Sequence, residues 1–501
     1  MTLSRVLEGV SVIKMFQTLY GKMVVTHEVE IRGIQYDSRK VGRDEMFVAI
    51  KGGTTDGHKF IDRAVGSGAN VVMVEDDNAI PDSYFMHAGV VKIVVGNSRK
   101  ALAQMSANLF GHPSEKLKLV GVTGTNGKTS TTYLIKSIFE ANGEKVGLIG
   151  TIEYKIGEEV IPSTHTTPES LELNQLLATM VLQGCNSAVM EVSSHSLALY
   201  RVYGLKFVAA VFTNLTQDHL DFHGTMEDYF CAKKTLFNSL SDNSVAITNR
   251  DDPYGMKAVA DTKAPVVTYG IENADVHASN VNLSLKGTSF TIVYKGSSSP
   301  VESMLIGGFN VKNILAAFTT GISLGVEKEK IAEGIRNLRA VPGRFQQFTS
   351  PEGWIAIVDY AHTHDALENC LRTIREIVPA EQRGRIITVF GAGGNRDKGK
   401  RPLMGRVATE YSDIIIITSD NPRHEDPLQI IEEIKKGVLP GKSVIIEPDR
   451  HKAIAVALEM ARSGDIVFFA GKGHEDYQII GDEKIHFDDR EEVETYIRNK
   501  R

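Results

Sequence analysis

The residues with the clearest chemistry lie in GVTGTNGKTSTTYLIKSIFEANG, a glycine-rich segment between an apolar run and an amphipathic stretch. Gly124 and Gly127 lack side chains, so backbone N–H groups there can approach phosphate oxygens, and Lys128 can neutralise the outer phosphates. Thr129 offers a hydroxyl to Mg²⁺ where the helix begins. Val122 replaces the first glycine of the strict pattern G-x-x-x-x-G-K-[ST]. We interpret the segment as a phosphate-binding loop, because a simple turn with an exposed lysine needs neither the strand nor the helix.

Two later segments carry candidate metal ligands. Glu191 ends the apolar run AVM, where a carboxylate could hold the Mg²⁺ that the loop threonine contacts, although a lone glutamate there is usually only solvated. The segment TNLTQDHLDFHG contains four further candidates, Asp218, His219, Asp221 and His223. Alone, it fits either a hydrolytic Zn²⁺ or Mn²⁺ site or a polar loop with capping residues. The next helix has adjacent Lys233 and Lys234, of which only one can face a given site.

Apolar, strand-sized runs followed by polar turns and helical stretches position these residues, a pattern typical of parallel α/β sheets. We predict one large central sheet and a second α/β domain with its own sheet. The runs end before Thr123, Thr151, Glu191, Thr213 and Asn249 in the first series, and before Asp359, Gly391, Ser419, Pro448 and Gly471 in the second. Most unusual polar residues follow these runs directly, at the strand ends where open parallel sheets bind ligands.

Length and breaks in the pattern predict three α/β domains. The chain has 501 residues, and domains average roughly 150 residues. A break is expected at Gly111–Pro113, and a linker near Pro342, where a helical pattern ends. We therefore place the domains at residues 1–110, 111–342 and 343–501.

Composition excludes several classes of protein. A net charge of −6, with 42% hydrophobic and 24% charged residues, gives no reason to expect nucleic acid, an anionic membrane or a disordered chain. Three cysteines without a C-x-x-C pair support neither a disulfide framework nor a thiolate zinc site. The sequence predicts no signal peptide and no membrane span, so we expect a cytoplasmic protein.

Taken together, the motifs resemble the Mur ligase family, and within it the bacterial ligases that add the third residue of the peptidoglycan stem peptide. The resemblance runs from Asp37 to Gln478 and rests on GTNGKTS, EVSSHSL, FTNLTQDHLDFHG, GFNVKN, DYAHT, GGNRDKGKRPLMG, DNPR and AGKGHEDYQ. It implies an N-terminal domain for the uridine nucleotide, a central P-loop ATPase on a mainly parallel sheet, and a Rossmann-like C-terminal domain for the amino acid. A hinge near Pro342 would close during turnover.

The resemblance also implies a reaction. ATP would phosphorylate the free γ-carboxylate of UDP-MurNAc-L-Ala-D-Glu, and the amine of an amino acid would attack the acyl phosphate to give an amide, ADP and phosphate. Bringing carboxylate and triphosphate together requires cations, which Lys128 and Mg²⁺ held by Thr129 and Glu191 would supply. By the same resemblance, His219 joins a second Mg²⁺, and Lys233 is the lysine that the family carbamylates with CO₂.

Further contacts are implied residue by residue. For ATP they are Gly124, Thr125, Asn126, Gly127, Lys128, Thr129, Ser130, Asn313 and Arg344, with Asp359 also facing the nucleotide. For the UDP-MurNAc-dipeptide they are Tyr36, Ser38, Gly53, Thr54, Thr55, His165, Thr166, Thr167, Ser193 and Arg201. Three departures from the family pattern bear on these contacts: His165 replaces a common Asn, Leu199 replaces Gln, and His364 replaces the proline of DYAHTP.

The amino acid is predicted from the charge at its far end. Meso-diaminopimelate carries a carboxylate that L-lysine lacks, and the planar fork of an arginine binds a carboxylate with two hydrogen bonds. DNPR offers Arg423 and matches the family's diaminopimelate-type motif, so we predict meso-diaminopimelate, with L-lysine as the alternative. The implied contacts are Arg396, Asp420, Asn421, Pro422, Arg423, Gly471 and Glu475, the last pairing with the far ammonium.

Three rival interpretations remain at this point. A P-loop kinase or NTP-driven switch would need the phosphate loop and Glu191 but no C-terminal domain with polar strand ends. A non-catalytic nucleotide-binding regulator would tolerate loss of His219 or Lys233. Ligases that extend folate share the central domain but lack the N-terminal domain containing DSR. We expect a monomer that binds only small molecules.

Overall fold

The computed structural model describes residues 1–19, 22–23, 29–53, 55–378 and 384–500. They form two compact units, Met1–Gly121 with Lys145–Val208, and Val122–Glu144 with Ala209–Arg501. This division differs from the predicted boundaries at 110 and 342, because the strands of the middle segment are shared between the units. The three predicted domains therefore stay a prediction, although each predicted segment contains its own series of strands.

The N-terminal segment is a five-stranded sheet with helices on its faces. Its strand order is β1-β7-β6-β5-β4, with β4 to β7 parallel and β1 antiparallel. The elements are α1 (Leu3–Val6), β1 (Val12–Phe16), β2 (Thr18–Leu19), β3 (Lys22–Met23), β4 (Ile34–Gln35), β5 (Glu45–Val48), α2 (Ile61–Gly66), β6 (Ala69–Val74), α3 (Asp82–Ala88), β7 (Val91–Val95) and α4 (Ser98–Leu109). Strands β2 and β3 pair separately. Alternate residues of β6 enter apolar cores on opposite faces, as buried parallel strands require.

The next segment carries the glycine-rich loop. Its elements are β8 (Lys118–Thr123), α5 (Lys128–Ala141), β9 (Val146–Ile149), β10 (Glu153–Ile156), β11 (Glu159–Pro162), α6 (Ser170–Leu182), β12 (Ser187–Glu191) and α7 (Ser194–Ala198). In the first unit the strand order is β11-β10-β9-β12-β8. Helix α5 belongs to the second unit. Its residues Leu134, Ile135, Ile138 and Phe139 are fully buried, as their spacing predicts.

The second unit continues with a six-strand series in the order β13-β14-β15-β16-β17-β18. Strands β13 to β16 are parallel, and β16 to β18 form an antiparallel meander. The elements are β13 (Ala209–Phe212), α8 (Leu220–His223), α9 (Met226–Asn238), β14 (Val245–Asn249), α10 (Gly255–Ala258), β15 (Val266–Gly270), β16 (Val276–Ser284), β17 (Gly287–Tyr294), β18 (Ser297–Ser303), α11 (Gly308–Ser323) and α12 (Lys328–Asn337).

The C-terminal segment is a doubly wound sheet, which confirms the Rossmann-like prediction. Its order is β19-β20-β24-β21-β22-β23, parallel except for β19. The elements are β19 (Gln346–Thr349), β20 (Ile355–Asp359), α13 (His364–Ile377), β21 (Ile386–Phe390), α14 (Lys400–Tyr411), β22 (Ile414–Ile417), α15 (Pro427–Lys435), β23 (Ser443–Ile446), α16 (Arg450–Met460), β24 (Ile466–Ala470), β25 (Tyr477–Ile480), β26 (Glu483–His486) and α17 (Asp489–Asn499). Helices α13, α14 and α15 cover one face, and α16 and α17 the other.

All ten predicted runs are strands, and the polar residues after them lie at carboxyl ends of β8, β9, β12, β13, β14 and of β20 to β24. Within the described ranges, we find no helix with the length and apolarity needed to cross a membrane.

Candidate active site

The glycine-rich loop between β8 and α5 requires glycine at two positions. Gly124 and Gly127 have φ angles of 149° and 83°, which L side chains rarely adopt. A Cβ at Gly124 would overlap the hydroxyl of Thr213, and a Cβ at Gly127 would overlap the amide oxygen of Asn313. The loop can therefore keep this shape only with bare backbone at both positions.

The segment after β13 forms one wall of this loop. Thr213 Oγ1 donates to the carbonyl of Asn126 at 2.7 Å, and the amide N–H of Asn126 donates to Asn214 Oδ1 at 2.8 Å. The N–H of Thr125 donates to the carbonyl of Asn214 at 2.9 Å. Sequence reasoning did not select Thr213 or Asn214, although their position directly after a strand was a usable signal.

Two cations meet the loop at the start of α5. Lys128 Nζ donates to the carbonyls of Gly124 and Thr125 at 2.9 and 2.8 Å. Arg344 Nη2 donates to Thr129 Oγ1 at 3.1 Å, and its guanidinium lies 4.7 Å from the centre of the Tyr360 ring. Arg344, which is predicted to contact nucleotide, follows the predicted linker at Pro342 in the sequence. The structure thus brings it to the first turn of α5.

Lys233 lies against the same loop. It is 1% exposed on α9, its Nζ donates to the carbonyl of Gly124 at 2.8 Å, and it lies 4.5 Å from the centre of the Tyr229 ring. Burial, and then the charge of Lys128, hold the pKa of Lys233 well below its usual value. Its neighbour Lys234 pairs instead with Asp261 at 2.5 Å. Only one of the two lysines faces the site, as expected.

Asp218 and His219 contact each other near this loop. His219 has a left-handed backbone, with φ 54°, and its Nε2 is 3.3 Å from Asp218 Oδ2. Burial alone would raise the pKa of Asp218, but the positive charges of His219, His362, Lys400 and Lys128 lower it below its usual value. The charges that act on Asp218 therefore come from both sides of Pro342.

At the tip of the loop, a second contact joins residues that precede Pro342 in the sequence to one that follows it. Asp365 Oδ2, in the first turn of α13, accepts from Asn126 Nδ2 at 2.8 Å and from Thr216 Oγ1 at 3.3 Å. Sequence reasoning missed Asp365 and Thr216, because neither is unusual in its own segment. Asp359, which was predicted to face the nucleotide, accepts from the N–H of Phe345 at 2.6 Å, and burial raises its pKa.

In the first unit, Glu191 is held at the end of β12. Its Oε1 accepts from the N–H of Thr151 at 2.9 Å, and its Oε2 from Thr151 Oγ1 at 3.1 Å. The hydroxyls of Thr151 and Thr166 are 3.0 Å apart. A Cβ at Gly150 would lie 2.7 Å from Glu191 Oε1, so the carboxylate needs glycine there.

Three further predicted acceptor residues, Thr167, Ser193 and Arg201, form a hydrogen-bonded group beside the backbone of Glu191. Thr167 Oγ1 donates to the carbonyl of Glu191 at 2.8 Å and accepts from the N–H of Ser193 at 3.1 Å. Arg201 Nη1 donates to the carbonyl of Thr167 at 2.9 Å, and its Nε pairs with Glu169 Oε2 at 3.3 Å. Glu169 was not predicted, and it orients the arginine.

Tyr36 and His165 share this neighbourhood. Tyr36 OH donates to Glu172 Oε1 at 2.8 Å, and burial and that carboxylate raise the pKa of Tyr36. Burial and the charge of Arg201 lower the pKa of His165, whose carbonyl accepts from Tyr154 OH at 2.7 Å. His165 is the position at which the family pattern commonly has Asn.

The remaining nucleotide-sugar residues lie at the carboxyl edge of the N-terminal sheet. Ser38 is buried after β4, and Gly53 and Thr55 follow β5. Thr54 lies outside the described residues. The structure does not bring Ser38, Gly53 or Thr55 into a hydrogen bond with Tyr36 among the described contacts.

In the C-terminal segment, a buried polar network joins the ends of β22 and β24. Lys472 is fully buried, and its Nζ donates to Asn421 Oδ1 at 3.2 Å and to the carbonyl of Tyr477 at 2.6 Å. The same Nζ lies 3.5 Å from Glu475 Oε2 and 3.6 Å from Asp420 Oδ1. Asn421 Nδ2 donates to Glu475 Oε2 at 2.8 Å. Lys472 was not among the predicted residues, although it lies in AGKGHEDYQ.

The two carboxyls of this network titrate in opposite directions. Burial, and then the charge of Asp420, raise the pKa of Glu475. Burial would also raise the pKa of Asp420, but the cations Lys472 and Arg450 lower it below its usual value. Gly471, with φ 116°, passes close to the Asp420 carboxylate, where a Cβ would lie 3.8 Å from Oδ2.

Arg396 and Arg423 lie side by side at a glycine-rich turn. Arg423 has φ 52°, and its Nη1 donates to the carbonyl of Gly394 at 2.9 Å. A Cβ at Gly393 would lie 3.0 Å from Arg423 Nη1 and 3.7 Å from Arg396 Cγ. The carbonyl of Pro422 approaches Gly394 so closely that a side chain there would overlap it. The structure thus gathers the predicted arginines at one turn.

A buried arginine that sequence reasoning missed supports the strand ends. Arg450 is fully buried, and its Nε and Nη2 donate to the two carboxylate oxygens of Asp489 at 2.8 and 2.6 Å. It also donates to the carbonyls of Ser419 and Ala470 at 3.2 and 3.1 Å. These carbonyls directly precede Asp420 and Gly471, so one ion pair supports both edges of the network.

The oxygen types at the two predicted positions suit the predicted metal. The carboxylate of Glu191 and the hydroxyl of Thr129 are, each in its own unit, oxygens of the kind that binds Mg²⁺, which is usually held by one or two carboxylates together with substrate phosphates and water. Among the described residues, no three His, Cys, Asp or Glu side chains cluster as a metal site would require. An all-protein zinc or manganese cage in TNLTQDHLDFHG is therefore not supported.

Family models match three stretches of the chain. They are the Mur ligase family catalytic domain over residues 30–109, the Mur ligase middle domain over 122–321, and the Mur ligase glutamate ligase domain over 343–473.

Similar proteins extend this likeness over almost the full length. UDP-N-acetylmuramoyl-L-alanyl-D-glutamate--2,6-diaminopimelate ligase of Clostridium tetani is 46% identical over 477 residues, covering 94% of this chain and 95% of the relative. The ligase of the same name from Geobacter sulfurreducens is 44% identical over 493 residues, covering 94% and 95%. A solved structure of a ligase with that name has a TM-score of 0.67 and 33% identity, covering 96% of this chain and 97% of that one. Because relatives with 44–46% identity cover 94% of the sequence and three Mur ligase models match along it, the chain belongs to the Mur ligase family.

Proposed function

We propose that this protein is an ATP-dependent amide ligase that adds meso-diaminopimelate to UDP-MurNAc-L-Ala-D-Glu in the synthesis of the peptidoglycan precursor. The observation that carries the proposal is that one compact unit holds both the phosphate loop with Lys233 and the polar network of Asp420, Lys472 and Glu475. A nucleotide site and an amino-acid site in one unit suit a ligase better than a kinase. The two ligases cited above carry this activity in their names.

The chemistry requires activation of a carboxylate. A free carboxylate is a poor acyl donor because its oxygen leaves badly, whereas phosphate leaves well. ATP therefore phosphorylates the γ-carboxylate, and the amine then displaces phosphate to form the amide. Lys128, at the loop carbonyls, and Arg344, at Thr129, supply positive charge where the triphosphate and the carboxylate meet.

Mg²⁺ would be held by Thr129 and Glu191, and a second ion by His219 and Lys233. When bound, the ions supply charge that offsets the repulsion between the two anionic substrates. Thr151 keeps the Glu191 carboxylate oriented from both its N–H and its hydroxyl. Asp218 pairs with His219 Nε2 and fixes the orientation of that ring.

Lys233 would act as a carbamate. CO₂ adds to a neutral amine, releasing a proton and leaving an anionic oxygen ligand. Burial, and then the charge of Lys128, lower the pKa of Lys233, which favours the neutral amine that this addition needs. The adjacent carbonyl of Gly124 accepts from Nζ and directs the group toward the phosphate loop.

Specificity for meso-diaminopimelate would come from the C-terminal edge. Arg423 and Arg396 would bind the far carboxylate, Glu475 the far ammonium, and Asp420, Asn421, Pro422 and Gly471 would shape the site. L-lysine has no carboxylate at that end, so the two arginines would repel its ammonium.

The remaining assignments follow the family. Asn313, with the loop residues Gly124 to Ser130, would contact ATP, and the acceptor would lie against Tyr36, Ser38, the 53–55 turn, His165, Thr166, Thr167, Ser193 and Arg201. Domains at 1–110, 111–342 and 343–501 would close about Pro342. We propose that the protein works as a monomer in the cytoplasm, where its nucleotide substrates are made.

The test measures phosphate release from ATP with UDP-MurNAc-L-Ala-D-Glu and with each candidate amino acid, singly and together, and the joined product by mass spectrometry. Phosphate release that requires both the dipeptide substrate and meso-diaminopimelate supports the proposal. Release that proceeds equally without the dipeptide substrate contradicts it, transfer of phosphate without release indicates a kinase, and preference for L-lysine contradicts the amino-acid assignment.

A further inference from the structure

Lys472 is a buried charge whose contacts come from three parts of the C-terminal segment. It lies two residues after the end of β24 and is fully buried. Its Nζ contacts Asn421, which follows β22, Glu475 in the turn before β25, and the carbonyl of Tyr477 at the start of β25. Burying an ammonium is costly unless it is paired and hydrogen-bonded. A hydrophobic side chain would fill the same space without that cost, so the charge itself needs an explanation.

The charges around Lys472 do not balance. Two carboxylates, Asp420 and Glu475, lie 3.6 and 3.5 Å from its one ammonium. Arg450 also lies near, but its charge is matched by its own partner Asp489, so the three groups, when ionised, carry one net negative charge. The hydroxyls of Tyr360 and Tyr477 lie 3.5 and 3.4 Å from Glu475 Oε1, and they add no charge. One further ammonium at Glu475 would make the cluster neutral.

Asn421 links Lys472 to Glu475 through hydrogen bonds of its amide group. Its Oδ1 accepts from Lys472 Nζ and from the N–H of Ile479, which fixes the orientation of the amide. Its Nδ2 then donates to Glu475 Oε2 at 2.8 Å. Lys472 and Asn421 therefore hold Oε2 of the glutamate, and Oε1, with the hydroxyls of Tyr360 and Tyr477 at 3.5 and 3.4 Å, is the oxygen on its other side.

We propose that Lys472 is a positioning residue for the diamino substrate, holding Asn421 and the ionised carboxylate of Glu475 in place to receive the ammonium at the far end. The inference rests on the proposed function, because it assigns Lys472 to the site in which Glu475 binds the amino acid. In this proposal Lys472 contacts protein groups and not the substrate, and it affects substrate binding through Glu475.

The titration of Glu475 agrees with this geometry. Burial, and then Asp420, raise the pKa of Glu475, while Lys472 and the hydrogen bond from Asn421 oppose that rise. Arg450 also places positive charge near Glu475 from α16. Without Lys472 the carboxyl would keep its proton to higher pH, and a neutral acid attracts an ammonium weakly.

The experiment compares Lys472→Met, Glu475→Gln and the double variant in the full-length enzyme, using phosphate release to measure KM for each of the three substrates. We expect Lys472→Met to raise KM for meso-diaminopimelate by about tenfold or more, as expected when one partner of a buried charge pair is removed. KM for ATP and for the UDP-dipeptide should stay near their wild-type values. The double variant should be no worse than Glu475→Gln alone, because both changes disable the same contact.

Lys484→Met is the matched control. Lys484 is exposed and lies 3.7 Å from the centre of the ring of Tyr477, so it contacts the same tyrosine without reaching Glu475. This variant should leave all three KM values unchanged. Lys472→Gln serves if the methionine variant does not fold, and its KM for meso-diaminopimelate should fall as the pH rises, more steeply than that of the wild type.

The outcomes separate the inference from the function beneath it. A Lys472→Met effect that multiplies with that of Glu475→Gln, or that raises all three KM values alike, overturns the positioning role. The positioning role is also overturned if Glu475→Gln raises KM for meso-diaminopimelate while neither Lys472→Met nor Lys472→Gln raises it. An unchanged KM for meso-diaminopimelate in Glu475→Gln overturns the amino-acid site itself, and with it the inference.

Discussion

Replacing Asp489 by alanine should destabilise the C-terminal sheet strongly. Asp489 is fully buried, and it is the carboxylate that both Nε and Nη2 of Arg450 contact, at 2.8 and 2.6 Å. Among the described residues, the change would leave the buried guanidinium with the carbonyls of Ser419 and Ala470 as its hydrogen-bond acceptors and without its ion-pair partner. Removing one partner of a buried ion pair costs about 3–5 kcal/mol, because the other charge stays buried and uncompensated.

The single tryptophan makes this measurable. Trp354 is the only tryptophan of the chain, is fully buried, and packs with Val493 and Ile497 of α17. Its fluorescence during urea denaturation therefore reports on the sheet that Arg450 and α17 cover. With an m value of about 2 kcal/mol/M, a loss of about 4 kcal/mol lowers the urea midpoint by about 2 M.

Glu491→Ala is the matched control in the same helix turn. Glu491 pairs with His486, and both side chains are exposed, at 61% and 65%. Exposed pairs contribute little to stability, so this variant should move the midpoint only slightly. The reasoning would be refuted if the two variants shifted the midpoint equally. The double variant Arg450→Met, Asp489→Leu should regain much of the lost stability, since it removes both charges of this buried pair.

Three further outcomes are expected. Lys233→Ala should abolish turnover, with activity restored by short carboxylic acids; full activity without them would show that no carbamate is needed. Arg423→Ala should reduce the preference for meso-diaminopimelate over L-lysine, as measured by the ratio of kcat/KM values, and an unchanged ratio would count against its role. Arg401 holds the pKa of Glu425 at about 2 in the folded protein, below its usual value of 4.5, so this pair stabilises the fold above about pH 4.5. That contribution should be lost as the pH falls toward about 2, so urea midpoints of wild type and Glu425→Gln should converge there, and a constant difference would contradict the pairing.

The sequence predicted the features of the fold that depend on residues close together in the chain. Apolar runs marked all ten strands of the two series, and the glycines of the loop, Gly124 and Gly127, marked the phosphate-binding turn, because backbone shape depends on neighbouring residues. Lys233 was singled out only by resemblance, since nothing in YFCAKKTLF distinguishes a buried lysine from a solvated one. Its buried ammonium donates to the carbonyl of Gly124, which lies 109 positions away in the chain.

The residues that sequence reasoning missed act through distant partners. Lys472, Arg450, Glu169 and Asp365 each pair with a residue on another element, and none of these pairings leaves a local pattern. Charged residues in polar turns usually remain in solvent, so composition gives no reason to bury them. Their roles follow from tertiary packing, which brings the ends of β22 and β24 beside α16 and α17.

The bond between Arg450 and Asp489 also imposes an order on biosynthesis. Asp420 and Gly471 leave the ribosome before residue 489, yet the guanidinium behind them has no carboxylate until α17 follows. The edge formed by the ends of β22 and β24 therefore stays unfinished until the last helix is made. A chain that ends before residue 489 would carry a buried arginine without its carboxylate at that edge.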